Sequence, residues 1–270
     1  MIRVGVFGAG GRMGAEVCRA VAAAGDMALA AAVDPGAVGR PVAEVAGVPG
    51  AGLIVSGDPA AMAAAGVEVA VDFTIAPSAV PNIHWCIDHG VHAVVGTSGI
   101  PPAEVEALPQ RLKEAGARTG VFIAPNFAIG AVMMMRFARL AARWMPDAEI
   151  IEAHHASKRD SPSGTAMATV HEIAAGRTEA RMPSADRPAE TVEVLASARG
   201  GDRDGVHVHS VRLPGVVANQ EVVFGAPGQT LTISHVTTDR VAFMPGVLIA
   251  IRQIGSHPGL TVGLEHFLGL

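Results

Sequence analysis

Short apolar runs alternate with amphipathic stretches along the first 125 residues. IRVGVF (2–7) reads as a strand, and Arg12–Ala24 carries the 3.6-residue period of a helix. MALAAAV (27–33), VEVAVDF (67–73), HAVVG (92–96) and GVFIAP (120–125) read as further strands, separated by helical patterns near 77–89 and 102–115. Apolar strands that alternate with helices predict a parallel sheet covered on both faces. Residues 35–57, rich in Gly, Ala and Pro, show no assignable period.

The texture changes after Pro125. A helical pattern over about 130–144 leads into AEIIEAHH, read as a strand, and a second helix starts near Ser163 and runs to about Ala175. Residues 176–205 are polar and read as an extended loop. VHVHSVRL, VVANQEVVFG and QTLTISHV follow as a run of strands, the pattern of an open α+β sheet. A last apolar helix, about Asp239–Ile254, follows TTD, whose aspartate suits an N-cap.

Half of the 270 residues are apolar and 17% are charged, so the chain can bury a large core and resembles no disordered class. The net charge of −5 argues against general nucleic-acid binding. Cys18 and Cys86 lie in apolar helical stretches without a CxxC pattern, so two core residues in a reducing compartment are expected, with neither disulfide nor structural zinc. Met1–Phe7 has no long apolar h-region, and arginines 136, 139 and 143 interrupt the apolar stretch 133–145; a cytoplasmic protein without a membrane segment is expected. Tyrosine is absent, which excludes any mechanism that needs a tyrosine acid.

VGVFGAGGRMGAEV places a strand before glycines 8, 10, 11 and 14 and a helix after them. Glycines let a backbone turn tightly and approach a pyrophosphate, and the helix start supplies N–H groups and the positive dipole end. The spacing is GxxGxxG rather than GxGxxG, yet it follows the first strand of an α/β pattern. Gly8, Ala9, Gly10, Gly11, Arg12 and Met13 are the candidate dinucleotide loop. Asp34 ends the second strand about 20 residues beyond Gly14, where a carboxylate accepts from ribose hydroxyls. A carboxylate there disfavours a 2′-phosphate, and Pro35 and Gly36 bring no adjacent base; Arg12 and Arg40 are the nearby candidates. NADH is therefore expected to serve at least as well as NADPH. Gly96, Thr97 and Ser98 of GTSG, and Ala124, Pro125, Asn126 and Phe127 of APNF, follow later strands where a dinucleotide would be lined.

EAHHASKRDSPSGTA (152–166) concentrates the remaining chemistry. On a strand His154 and His155 point to opposite sides. Ser163 is a candidate N-cap and substrate contact, and Gly164 and Thr165 would present N–H groups and a hydroxyl to a carboxylate or phosphate, with Lys158 adding a cation. A lysine becomes a proton donor near neutral pH where burial lowers its pKa. Adjacent histidines lack the i, i+4 spacing of a helical metal site and no third ligand cluster is evident, so no metal is expected.

With VDFT (71–74), APNFAIGA (124–131) and HVTTDRVAFMPGVLIAIR, these motifs resemble the 4-hydroxy-tetrahydrodipicolinate reductase (dihydrodipicolinate reductase) family over nearly the whole chain, HHxxKxDxPSGTA being the most specific. The resemblance implies an α/β fold: a Rossmann-type nucleotide domain (1–125 and 236–270) with an inserted α+β substrate and oligomerisation domain (126–235) whose open mixed sheet builds a homotetramer. It implies NADH or NADPH as cofactor and a small cyclic dicarboxylate imine as substrate, in the diaminopimelate and lysine pathway. It implies that His154 donates or accepts a proton, that Lys158 donates one, that His155 contacts substrate, and that Gly164 and Thr165 hold a carboxylate. GTSG stands where the family turn reads GTTG, and Asn219 lies where family members often carry a histidine nearby. A reductase of another small carboxylated imine or carbonyl, and a non-catalytic NAD(P)-sensing protein, are the competing readings; the His-His-Lys motif argues against the first.

Overall fold

A computed structural model of the chain describes residues 1–49, 52–116, 118–182 and 192–270. The chain forms two units, Met1–Ala128 with Phe243–Gly269, and Ile129–Ala242 with Leu270.

The first unit runs β1 (Ile2–Phe7), α1 (Arg12–Ala23), β2 (Met27–Val33), α2 (Val42–Val45), α3 (Ala60–Ala64), β3 (Val69–Asp72), α4 (Ala76–Asp88), β4 (His92–Val95), α5 (Pro102–Glu114) and β5 (Gly120–Ile123). The second contains α6 (Ile129–Ala142), β6 (Asp147–His154), α7 (Gly164–Glu179), β7 (Gly201–Arg203), β8 (Val206–Arg212), β9 (Ala218–Ala226) and β10 (Gln229–Thr237). The chain then returns to the first unit with α8 (Met244–Gln253), β11 (Gly259–Val262) and α9 (Glu265–Leu268).

The first sheet is parallel, in the order β11-β5-β4-β3-β1-β2. β3 and β5 are buried at every residue, as strands covered on both faces must be. Cys18 and Cys86 sit in this core, and burial pushes both thiols up, Cys18 to about 12. Because the strands are parallel, the loops after β1, β2, β3, β4 and β5 all leave from one edge. The order reverses at β1, which has β2 on one side and β3 on the other; a crevice opens at such a switch point.

The second sheet is mixed, in the order β10-β9-β6-β8-β7. One face packs on α6 and α7 through Ala148, Ile150, Val206, Val208, Val222 and Phe224. β6 alternates along its length, so Ala148, Ile150 and Glu152 point into this core while Ile151 is 40% exposed on the other face. Among the described residues no helix is long and apolar enough to cross a membrane.

Four local expectations change. The helix after Ser163 extends past Ala175 to Glu179, because Arg177 is buried and donates from Nε to the Pro146 carbonyl (2.7 Å) and from Nη1 to that of Asp204 (2.9 Å). Within the polar stretch read as a loop, Gly201–Arg203 pairs with β8 around Asp204-Gly205, both at positive φ, as a two-residue hairpin requires; residues 183–191 of that stretch lie outside the described ones. Asp239 caps a 3₁₀ turn, Arg240–Phe243, by accepting from the Val241 N–H (2.8 Å); the α-helix begins only at Met244, since Pro245 fits a first turn and not an interior. β11 was not foreseen: a four-residue strand that opens on one positive-φ glycine, Gly259, and ends before another, Gly263, is too short to show a period.

Gly176 of α7 lies against α6, and a Cβ there would overlap the Arg139 carbonyl oxygen. Gly176→Ala should lower the unfolding free energy in urea by about 1–3 kcal/mol. Gly25→Ala, with no atom in reach of the new methyl, should change it by less than about 0.5 kcal/mol.

Candidate active site

The candidate residues fall into two groups, one in each unit. In the first unit, Gly8 leaves β1 at φ +74°, and the Gly11 N–H donates back to its carbonyl (2.9 Å). Gly14 sits under this turn, where any Cβ would overlap the Gly8 carbonyl, so α1 can begin this close to the strand only with glycine. Gly10, Gly11 and Arg12 are exposed at the loop crest, Met13 is half-buried, and the Ala9 side chain belongs to the core. Asp34 closes the loop from β2: its Oδ2 accepts from the Gly10 N–H (2.9 Å) and its Oδ1 from the Gly36 N–H (2.8 Å). A Cβ on Gly10 would stand 3.0 Å from that carboxylate.

A residue not singled out from sequence organises the neighbouring loops. Asp72, at the end of β3, is 3% exposed. Its Oδ1 accepts from the Thr74 N–H (2.9 Å) and from the hydroxyls of Thr74 and Thr97 (2.7 Å each), and its Oδ2 from Asn82 Nδ2 (2.7 Å). The Thr97 hydroxyl therefore points inward, and Ser98 is the exposed hydroxyl of GTSG. Gly96 lies under the Phe73 ring, which a Cβ would strike. In APNF, Pro125 is exposed, Asn126 Oδ1 accepts from the Ala128 N–H (2.8 Å), and Ala124 and Phe127 are buried, the Phe127 ring packing against Phe73 and Phe122. Backbone, rather than the side chains of Ala124 and Phe127, is what this segment can show a ligand.

In the second unit, the end of β6 carries a buried carboxylate. Strand alternation aims Glu152 into the core where the pattern calls for an apolar residue, and it is fully buried. Hydrogen-bond donors converge on it from several elements. Arg212 Nη2 and the Ser163 N–H reach Oε1 (2.8 and 3.2 Å), while Arg212 Nη1 and His154 Nδ1 reach Oε2 (2.9 and 2.6 Å). Parallel pairing of β6 with β8 sets His154 opposite Arg212. Burial works to raise the Glu152 carboxyl, but hydrogen bonds from Arg212, Ser210 and His154 outweigh it and hold the group below the usual carboxylate range. Burial depresses the His154 imidazole; the Glu152 carboxylate opposes this and the Lys158 and Arg212 cations reinforce it, leaving a neutral ring at pH 7.

Arg212 Nη2 also donates to the Asp160 carbonyl (2.7 Å), tying the following loop to the strand end. On that loop Lys158 Nζ lies 2.8 Å from both Asp160 carboxylate oxygens, and this cation holds the Asp160 carboxyl below its ordinary range. Ser163 caps α7, its Oγ accepting from the Ala166 N–H (3.2 Å). Gly164 is exposed in the first turn with open space beside it, and Thr165 is half-buried. His155 stays apart: its Nδ1 meets Ser157 Oγ at 2.9 Å, and its carbonyl accepts from the Lys158 N–H (3.0 Å). The structure thus joins His154, Lys158 and Ser163 through Glu152, Arg212 and Asp160. Glu152 was findable, being two residues before His154 and so on the same strand face; Arg212 lies 60 residues away and only the register reveals it. Among the described residues no group of three or more His, Cys, Asp or Glu is placed to hold a metal.

Comparison with known proteins gives a consistent picture. The family described as "Dihydrodipicolinate reductase, N-terminus" matches residues 2–127, and "Dihydrodipicolinate reductase, C-terminus" matches residues 130–268. The 4-hydroxy-tetrahydrodipicolinate reductase of Corynebacterium diphtheriae is 46% identical over 269 residues, covering 100% of this chain and 99% of the relative. That of Nocardia farcinica is 48% identical with the same coverage. The solved dihydrodipicolinate reductase of Paenisporosarcina sp. TG-14, with dipicolinate bound, superposes with a TM-score of 0.83 at 36% identity, over 98% of this chain and 99% of that one.

Glu152 and His154 link stability to pH with the same sign. A folded pKa below the unfolded one means that the unfolded chain binds more protons as pH falls. The His154 contribution is complete above about pH 6.5 and is lost below it, and that of Glu152 is complete above about pH 4.5 and is lost as the pH falls through its depressed value. The stability gap between wild type and Glu152→Gln, measured by urea unfolding, should be widest near neutrality and close in acid.

Proposed function

This chain belongs to the dihydrodipicolinate reductase family, and we propose that it reduces 4-hydroxy-tetrahydrodipicolinate to tetrahydrodipicolinate with NADH or NADPH, as an enzyme of diaminopimelate and lysine synthesis. Per turnover the substrate loses its ring hydroxyl as water and gains one hydride and one proton. The observation that carries the reading is the His154–Glu152–Arg212 cluster joined to Lys158 and to the capped start of α7, all within the region that matches the family's C-terminus.

The residues of the second unit suit a small ring with two carboxylates. Gly164 and Thr165, in the first turn of α7, offer N–H groups and the positive dipole end to one carboxylate. Lys158 exchanges its Asp160 partner for the substrate and donates a proton to the ring. His154, neutral at pH 7, accepts or donates a proton within the same cluster. His155 contacts substrate from the following turn.

In the first unit the turn Gly8–Met13, too tight for side chains at Gly8 and Gly14, fits a pyrophosphate against α1. The bound nicotinamide supplies the hydride. Ser98, the backbone of Gly96 and Thr97, and the segment Ala124–Phe127 line its side of the sheet edge. Asp34 accepts from the adenosine ribose through lone pairs that Gly10 and Gly36 leave open, and its charge opposes a 2′-phosphate. The open face of the mixed sheet, with Ile151 40% and Val236 60% exposed, supports assembly as a homotetramer; the proposed location is the cytoplasm.

The test couples the protein to dihydrodipicolinate synthase acting on pyruvate and aspartate semialdehyde, and follows NADH and NADPH oxidation in parallel. Wild type should turn over with both, and His154→Ala and Lys158→Ala should each lose about 10²-fold or more in kcat. Folded wild-type protein that binds NADH without turnover would reject the reductase reading. The kcat/KM for NADH should equal or exceed that for NADPH, and Asp34→Ala should shift the ratio towards NADPH; a tenfold wild-type preference for NADPH would overturn the role given to Asp34.

A further inference from the structure

We propose that Glu152 and Arg212 are positioning residues for His154, holding its imidazole with the proton on Nδ1 and leaving Nε2 as the atom that exchanges a proton with substrate. The assignment of Nε2 to the substrate rests on the reductase reading above; the tautomer does not.

The argument is one of donors and acceptors. Each Glu152 oxygen receives two donors: Arg212 Nη2 and the Ser163 N–H at Oε1, and Arg212 Nη1 and His154 Nδ1 at Oε2. A carboxylate is an acceptor only. At 2.6 Å from Oε2, Nδ1 must therefore carry the hydrogen, and a neutral ring then has a bare Nε2. Arg212 fixes the carboxylate in turn. Its two terminal nitrogens reach the two oxygens in the paired geometry that only guanidinium provides. The Arg212 link to the Asp160 carbonyl extends the same restraint to the loop bearing Lys158. The charged groups facing His154 are Glu152 on its own strand, Arg212 from β8 and Lys158 from the loop. An anionic partner behind an imidazole sets its tautomer and raises its basicity, and replacing such a carboxylate by its amide leaves the wrong tautomer and costs a large factor in kcat.

The experiment is nitrogen NMR of protein carrying ¹⁵N-labelled histidine, free of ligands, at about pH 8, with His154 signals assigned by their loss in His154→Gln. Wild type should show a protonated Nδ1 and an unprotonated Nε2 at His154. Glu152→Gln presents an amide N–H₂ to Nδ1 and should move the population towards the Nε2–H form. In the coupled assay it should lower kcat by about 10²-fold with KM within about threefold, and move the acid limb of kcat/KM to lower pH, because the anion that sustained the ring's basicity is gone. Glu152→Asp should keep the Nδ1–H form and recover part of the rate. An Nε2–H tautomer in wild type overturns the proposal, and so does a folded Glu152→Gln protein with unchanged tautomer and pH profile. The wild-type spectrum needs neither turnover nor a stable variant. Absence of any reductase rate would therefore reject the function while leaving the tautomer result to stand or fall by itself.

Discussion

A carboxylate buried at the end of β6 is the constraint on which the second unit turns. Glu152 occupies a core position of an alternating strand and has no access to water. Such a charge is tolerated only when opposite charge and hydrogen bonds surround it, and removing one partner of a buried pair typically costs about 3–5 kcal/mol. Arg212, a backbone N–H and an imidazole meet that demand. In meeting it they bring four separate pieces of chain to one point: the end of β6, the end of β8, the Lys158–Asp160 loop and the start of α7. A hydrophobic residue at 152 would complete the core alternation, but would leave Arg212 and His154 without a common partner.

The nucleotide unit uses carboxylates in a related way. Asp72 gathers the turns after β3 and β4 and the side chain of Asn82 on α4. Asp34 joins the turn after β2 to the crest of the glycine loop. Parallel strands deliver all these turns to one edge, and the carboxylates then set their spacing. The close approach of α1 to β1 depends on having no side chain at Gly14. The edge is thus shaped by what is absent at the glycines and by what is fixed at the aspartates.

Burial distributes the candidate residues between binding and packing. Gly10, Gly11, Arg12, Ser98 and Gly164 are exposed and can meet a ligand, whereas Ala9, Ala124 and Phe127 place their side chains in the core. The Thr97 hydroxyl serves Asp72, although GTSG read in isolation offers it to a cofactor. Asp72, which claims the Thr97 side chain, comes from another strand.

Local physics made much of this protein legible in its sequence. The apolar runs of β1, β2 and β5 and the amphipathic period of α1 follow from burial on two faces or one. The glycines at 8 and 14 mark a turn that side chains would block, and Ser163 marks a helix start because its hydroxyl accepts from Ala166. Elements too short to show a period stayed hidden, β11 among them, as did the hairpin at Asp204-Gly205. Pairing across distance was also hidden. That Arg212 stands opposite His154 follows from the register of β6 on β8, and that Thr97 turns to Asp72 follows from β4 lying beside β3. The sequence by itself determined the fold class and the atoms available for chemistry, because these depend on composition and local spacing, and its motifs carried the resemblance to the family. That Glu152 faces Arg212 and Asp72 faces Thr97 was decided only by tertiary structure, because a hydrogen bond requires two groups within about 3 Å and the chain separates these pairs by 60 and 25 residues.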